Sequence, residues 1–411
     1  MIERYATILT TTLAAAGCAA AFAAPAAADD PRGYIYGTIE TESGKRYTGV
    51  LRWGGEEAFW DDHFNGSKLD EPATGELPRN FRRNRKRVEV FGLEISGPWE
   101  HGWEQRSLAV RFGDLVEIRP KGGDRAELVF KGGERMKIEG GSNDFGDDIT
   151  VDDPSLGEVD IDWDRIASIR FAQTPANAKP AGKRLRARVK TTVGEFSGWL
   201  AWDNDERVTT DVLDGESEDG DLELPMGKIK SIERRSRRSC RVSLTDGRSF
   251  DMSGTNDVDS STNGIVVEDE RFGRVEIPWE VFERADIEVA ADSGKGYDDY
   301  PPHGPLRATV TASDGRSFSG EIAFDLDETR QWEFLDGEQD DVEYHVPFSM
   351  VKEVRPIGRR RSEVTLRNGQ KLTLEGQTDV DESNAGVALL AGKAGEDRYV
   401  PWQDVAKVVF D

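Results

Sequence analysis

The chain is poor in the residues from which most catalytic and metal centres are built. Its 411 residues hold two cysteines and four histidines. Cys18 lies in the apolar N-terminal stretch and Cys240 in the body, so removal of that stretch leaves a single thiol and no intramolecular disulfide. Stability must then come from the cores alone. His63, His101, His303 and His345 are scattered and share no ligand spacing. There is no His-Glu-x-x-His zinc helix, no P-loop and no nucleophile elbow. Carboxylates are spread along the whole chain, so no pair stands out as a glycosidase dyad. Positive charge is also short, 54 Lys and Arg against 79 Asp and Glu, for a formal net charge of −25. That balance disfavours nucleic acid or an anionic membrane as a bulk partner. Beyond the N-terminus no apolar run reaches the roughly 20 residues of a membrane span.

What is present starts with a targeting signal. Arg4 precedes an Ala-rich stretch from Ala6 to Ala28, which ends in Ala26-Ala27-Ala28 before Asp29. A basic start, an apolar run and a small-residue cleavage site predict a signal peptide over residues 1–28 and a periplasmic or extracellular destination. Leu13-Ala14-Ala15-Ala16-Gly17-Cys18 also resembles a lipoprotein lipobox, with Ala15 where a large apolar residue normally stands. Lipid anchoring through Cys18 is the alternative to cleavage after Ala28.

The rest of the chain repeats. A glycine, a short gap, an aromatic, Ser or Thr and a second glycine recur as Gly44 to Gly49, Gly194 to Gly198 and Gly315 to Gly320. Four residues past the second glycine stands Trp53, Trp202 or Phe324, and seventeen past it Gly66, Gly215 or Gly337. Farther on come Asn143-Asp144, Asn256-Asp257 or Thr378-Asp379, and then Trp163, Trp279 or Trp402. From the landmark glycine to that Trp is 81 residues in the second copy and 82 in the third, but 114 in the first. The first copy therefore carries an insertion, at about residues 70–105.

Each copy also divides into two similar halves. All six halves close with apolar residues three apart: Leu115/Ile118, Ile166/Ile169, Ile229/Ile232, Phe282/Ala285, Val351/Val354 and Val405/Val408. This spacing predicts a short helical turn leading into a last strand. Before it, hydrophobicity alternates at period two between Gly-bearing turns such as Asp246-Gly247 and Asn368-Gly369, the pattern of short antiparallel strands. Four or five strands with one helical turn before the last resemble an SH3-like small barrel. Gly198-Trp199-Leu200-Ala201-Trp202-Asp203-Asn204-Asp205-Glu206 resembles the Sm-like variant of it. An Sm-like RNA site would want Asn where Glu206, Glu57 and Glu328 stand, so the resemblance implies a fold and not a function.

The expected architecture is all-β, with three tandem repeats, each a pair of small SH3-like antiparallel barrels. A six-bladed β-propeller is the alternative. The repeats span residues 29–172, 184–290 and 305–411, with Pro/Gly/Ala-rich linkers at 173–183 and 291–304.

Basic clusters interrupt this acidic chain. The joints between halves carry Arg119 to Arg125, Arg234 to Arg238 and Arg359 to Arg361, and are expected to pair with acidic loops. The insertion adds Arg79, Arg82, Arg83, Arg85, Lys86 and Arg87, with Trp99 and Trp103 downstream. That set is the candidate docking surface, since Arg and Trp are typical interface anchors. A second candidate is Ca²⁺, a cation that takes six to eight oxygens. Its ligands would be Asp257, Asp259 and Asn263 in one loop, and Asp379, Asp381 and Asn384 in the equivalent one; the alternative is a turn capped by its own side chains. The expected function is non-catalytic: a scaffold or binding module of the cell envelope that recognises a protein or an anionic wall polymer. The rivals are a polysaccharide hydrolase with carboxylates in the inter-barrel clefts and a calcium-dependent adhesin.

Overall fold

The computed structural model describes residues 30–69, 106–140, 144–390 and 399–411. Among these residues thirty strands form, and the helical elements are three-residue 3-10 turns. The strands fall into three sets of ten. The first comprises β1 (Tyr36–Thr41), β2 (Arg46–Trp53), β3 (His63–Lys68), β4 (Arg106–Arg111), β5 (Leu115–Pro120), β6 (Arg125–Phe130), β7 (Arg135–Glu139), β8 (Ile149–Asp153), β9 (Gly157–Ile161) and β10 (Ile166–Phe171). The second comprises β11 (Leu185–Thr191), β12 (Glu195–Ala201), β13 (Val212–Ser217), β14 (Gly220–Pro225), β15 (Ile229–Ser236), β16 (Ser239–Leu244), β17 (Ser249–Met252), β18 (Ile265–Asp269), β19 (Gly273–Ile277) and β20 (Phe282–Val289). The third comprises β21 (Arg307–Ala312), β22 (Ser317–Ala323), β23 (Phe334–Gln339), β24 (Val342–Pro347), β25 (Val351–Ile357), β26 (Arg361–Leu366), β27 (Lys371–Glu375), β28 (Val387–Leu389), β29 (Tyr399–Val400) and β30 (Val405–Phe410).

The all-β expectation holds, but the strands do not close into barrels. In the first set the order is β4-β3-β7-β6-β5-β10-β1-β2-β8-β9. The same neighbours recur in the second, where β12 pairs with β18 and β15 with β20, while a bridge between Glu216 and Ser253 joins β13 to β17. The third repeats them through β22–β28, β25–β30 and β23–β27. The two halves of a set thus exchange hairpins. The first hairpin of the first half pairs with strands of the second, and the first hairpin of the second half pairs with strands of the first. No half is a barrel by itself, and no four consecutive strands make a propeller blade. A half of about 50 residues is marginal by itself, and exchange gives both halves one larger core.

The landmark residues make this exchange possible. A Cβ on Gly198 would lie 1.8 Å from the Glu268 carbonyl oxygen, and one on Gly49 would lie 2.0 Å from that of Asp152. Only glycine lets the crossing strand approach there. Four residues on, the landmark aromatic meets the late Trp of its own set. Trp53 and Trp163 have centroids 5.8 Å apart, Trp202 and Trp279 6.4 Å, Phe324 and Trp402 5.6 Å.

The closing residues three apart are buried, as their spacing suggests, though only half of the reason is helical. A 3-10 turn precedes five of the six last strands, and at Pro278–Val281 a turn takes its place. The first residue of the strand is then followed by a bulge. Leu115 pairs with Phe130 and Glu117 with Val129, so Val116 is skipped and left 39% exposed. The same shift occurs in all six closing strands. An extra residue in one strand changes the facing period locally from two to three, which puts i and i+3 on the core side.

The sets are tied together. β19 pairs with β24, and one hydrophobic core runs through the second and third sets. The core of the first set takes in Tyr297, Tyr300 and Trp332 from the far end of the chain. The stretch expected to be a free linker at 291–304 is therefore partly a strap on the first set. There the Tyr297 hydroxyl donates to the Leu115 carbonyl at 2.8 Å.

Candidate functional site

Each set carries the same turn between its second and third strands, built by two left-handed residues. These are Gly54-Gly55, Asp203-Asn204 and Asp325-Leu326, all with φ between 44° and 79°. The turn delivers Glu57, Glu206 or Glu328 into the interior, at 4%, 9% and 9% exposure. A second acid, Asp62, Asp211 or Glu333, closes the loop by accepting two successive backbone N–H groups, as Asp62 does from Ala58 and Phe59, both at 2.8 Å. The Asp of each later landmark also turns inward. Asp144, Asp257 and Asp379 accept the N–H of Asn65, Asp214 and Asp336 at 2.6–2.7 Å.

Burial shifts the three interior glutamates toward the protonated form. Burial, reinforced by the Asp257 charge, pushes Glu206 up to about 9, and one of its oxygens has no hydrogen-bond partner. Glu328 is raised well above the usual range by burial and by Asp327 and Asp379. Burial also raises Glu57, although Arg207 opposes it. The folded state therefore binds the Glu206 proton more tightly than the unfolded state, whose value is near 4.5. Stability from this group is full below that value and is lost as pH rises toward 9. We expect Glu206→Gln, a mimic of the protonated acid, to raise stability by roughly 1–2 kcal/mol at about pH 8 and to change little at about pH 4. Melting curves at the two values check this, and an equal effect at both would show that Glu206 is not the titrating group.

Charge crosses every junction between sets. Arg207 donates to Asp62 at 2.8 Å and Arg52 to Asp211 at 2.7 Å, a reciprocal pair between the first and second sets. Arg184 lies between the rings of Phe59 and Trp199, at 4.0 and 4.3 Å from their centroids, and donates to Asp61 at 2.7 Å. Lys68, at the end of β3, is buried and bonds Glu333 of the third set at 2.5 Å. Asp62 and Glu268, from different sets, line one cavity with Arg184 and Arg207, but its volume of about 10 Å³ suits one water and not a sugar ring.

At the junction of β19 and β24, three donors from two sets meet. Glu276 stands directly opposite Glu343, and Arg274 opposite His345. The His345 ring lies 2.9 Å from Asp336 through Nδ1 and 3.5 Å from Glu276 through Nε2. Burial pulls the imidazole pKa down, but Asp336 and Glu276 outweigh it and raise it. Burial and Glu276 raise Glu343. Burial would raise Glu276 too, yet Arg274, 3.0 Å away, and His345 hold it low. Sequence reading passed over this cluster because its members lie about 70 residues apart. Only the strand register brings them together.

The residues proposed from sequence fare differently. Arg79, Arg82, Arg83, Arg85, Lys86, Arg87, Trp99 and Trp103 lie outside the described residues, as do the signal peptide and Cys18. The two Asp-rich loops use their side chains on themselves. Asp259 accepts from the backbone and hydroxyl of Ser261, and Asp381 does the same with Ser383. Asn263 gives its backbone N–H to Asp203, and Asn384 bonds the Asp379 carbonyl at 2.9 Å. With Asp257 and Asp379 bonded to strand N–H groups, each loop has the geometry of a capped turn. The joint arginines pair within their own sets, Arg119 with Glu117 and Glu127, Arg235 with Glu233, Arg359 with Glu382. No family model, curated protein or solved structure matches the chain.

Proposed function

We propose that this is an exported, non-catalytic binding module of the cell envelope whose basic insertion engages an anionic partner, a protein surface or a wall polymer. The observation that carries the reading is where the insertion is mounted. β3 and β4 pair without interruption from His63↔Arg111 to Lys68↔Arg106, so the described residues on either side of the insertion are direct cross-strand partners. In the second and third sets the equivalent hairpins close through Glu218-Asp219 and Asp340-Asp341. The base of the insertion is clamped to the third set through Lys68 and Glu333. A stack of Phe130 on Trp332, 4.6 Å between centroids, adds a second tie between the same sets. A segment fixed at its root and bearing six Arg or Lys in the nine positions 79–87 offers dense charge to a partner at little entropic cost to the body.

The test is partner capture from envelope extract with the full chain. Wild type should bind less as salt is raised, because exposed charges are screened within about 8 Å at physiological ionic strength. Replacing Arg82, Arg83, Arg85 and Arg87 by Ser should weaken binding and leave the melting temperature unchanged. If binding persists and the melting temperature falls, the segment is a structural clamp and the proposal fails.

A further inference from the structure

We propose that Glu276, Glu343 and His345 form a binding site for a divalent transition-metal ion at the seam between the second and third sets. The three ligand atoms lie within 4.8 Å of one another and come from two strands whose relative position is fixed by the β19–β24 ladder. An imidazole nitrogen with two carboxylate oxygens is a donor set suited to Zn²⁺ and its first-row neighbours. Donors at about 2.0–2.1 Å from one ion stand roughly 3.4 Å apart in a tetrahedron.

Three features separate this cluster from a chance gathering of acids. Glu276 and Glu343 are direct cross-strand partners, an arrangement that repels unless something positive sits between them. His345 is held by Asp336 through Nδ1, the arrangement in which a carboxylate orients a histidine that ligates through its other nitrogen. That other nitrogen, Nε2, is shielded from solvent, makes no hydrogen bond and points toward Glu276. A proton and a metal ion compete for the same lone pair. Three carboxylates, Glu276, Glu343 and Asp336, face it against Arg274, which bonds Glu276, and the more distant Arg207, and a divalent ion would meet that negative surplus. Arg274 donates from Nε to Oε1 of Glu276 at 3.0 Å, the same oxygen that lies 3.5 Å from His345 Nε2, so an ion would share this carboxylate with the guanidinium.

The site predicts a metal-linked seam between the second and third sets, formed by residues about 70 positions apart in the chain. Zn²⁺ titrated into the full chain at physiological ionic strength should show one site that His345→Gln and Glu343→Gln each weaken at least tenfold. Asp336→Asn, which removes only the orienting group, should weaken it about 10-fold to 100-fold. Saturating Zn²⁺ should raise the melting temperature of wild type and not of His345→Gln. Should His345→Gln fail to fold, Glu343→Gln decides, since it keeps the shape of a half-buried side chain and removes only its charge. Equal uptake by wild type and both variants would assign the binding to surface carboxylates and overturn the proposal. So would an NMR spectrum in which the His345 ring keeps both protons in saturating Zn²⁺, because the cluster would then be held by a proton.

Discussion

Trp279→Ala is expected to destabilise the chain by about 3–5 kcal/mol, the range for deleting a buried large aromatic. Trp279 is 1% exposed. Its ring meets the edge of Trp202 and lies tilted at 5.5 Å from Phe282, and its indole N–H donates to the Ser236 carbonyl at 3.0 Å. One side chain thus joins the landmark aromatic of the first half to the closing strand of the second and to the end of β15. Its loss opens a cavity and removes the hydrogen bond to Ser236, and neighbours held in ladders cannot collapse to fill the space. Denaturant unfolding measures the cost. A melting change under a degree would mean the aromatic pair does not hold the exchanged halves together.

Arg207→Met should cost about as much, roughly 3–5 kcal/mol, for a different reason. The guanidinium is buried and bonds Asp62 at 2.8 Å and the Asn204 carbonyl at 2.8 Å, with Glu57 at 3.7 Å. Methionine keeps much of the volume but strands a buried carboxylate, and the desolvation of that charge is then uncompensated. The double variant Arg207→Met with Asp62→Asn should recover part of the loss, because both charges are gone. If the double variant is as unstable as the sum of the two single changes, packing and not charge explains the effect.

Much of the secondary structure was legible, because period-two alternation and Gly turns act over a few residues. The landmark glycines and aromatics were visible as repeats, and both carry the contacts that join the halves. The hairpin exchange was not legible. Pairing β2 with β8 rather than with β3 depends on a crossing that leaves no local mark except a glycine, and glycine also marks ordinary turns. The residues three apart pointed to a short helical turn before each last strand, which five of the six have, but their spacing itself comes from the bulge that follows. Among site residues, acidic loops looked like ligands because Asx turns and calcium loops share Asp, Asn and Gly. The Glu276–Glu343–His345 cluster had no sequence signature at all. Two of its members are two apart on β24, the third is on β19, and the ladder between them is set by burial of Val275 and Tyr344, not by the charged residues.

Exchange of hairpins also governs the order in which the chain can acquire structure. The first strand of each set takes its second neighbour from the last: Ile39 meets Ile169, Ala187 meets Ile287, and Val310 meets Val408. Such pairings close loops of about a hundred residues before any contact offsets their entropy, which places the topology among slow folders. A set still lacking its last strand has open edges on both flanks, at the first strand and at the fifth. A chain that emerges from a transport channel N-terminus first would expose those edges until its closing strand arrives. Truncation just before Val405 should then leave the third set unable to fold while the second, already closed by β20, stays protected from protease.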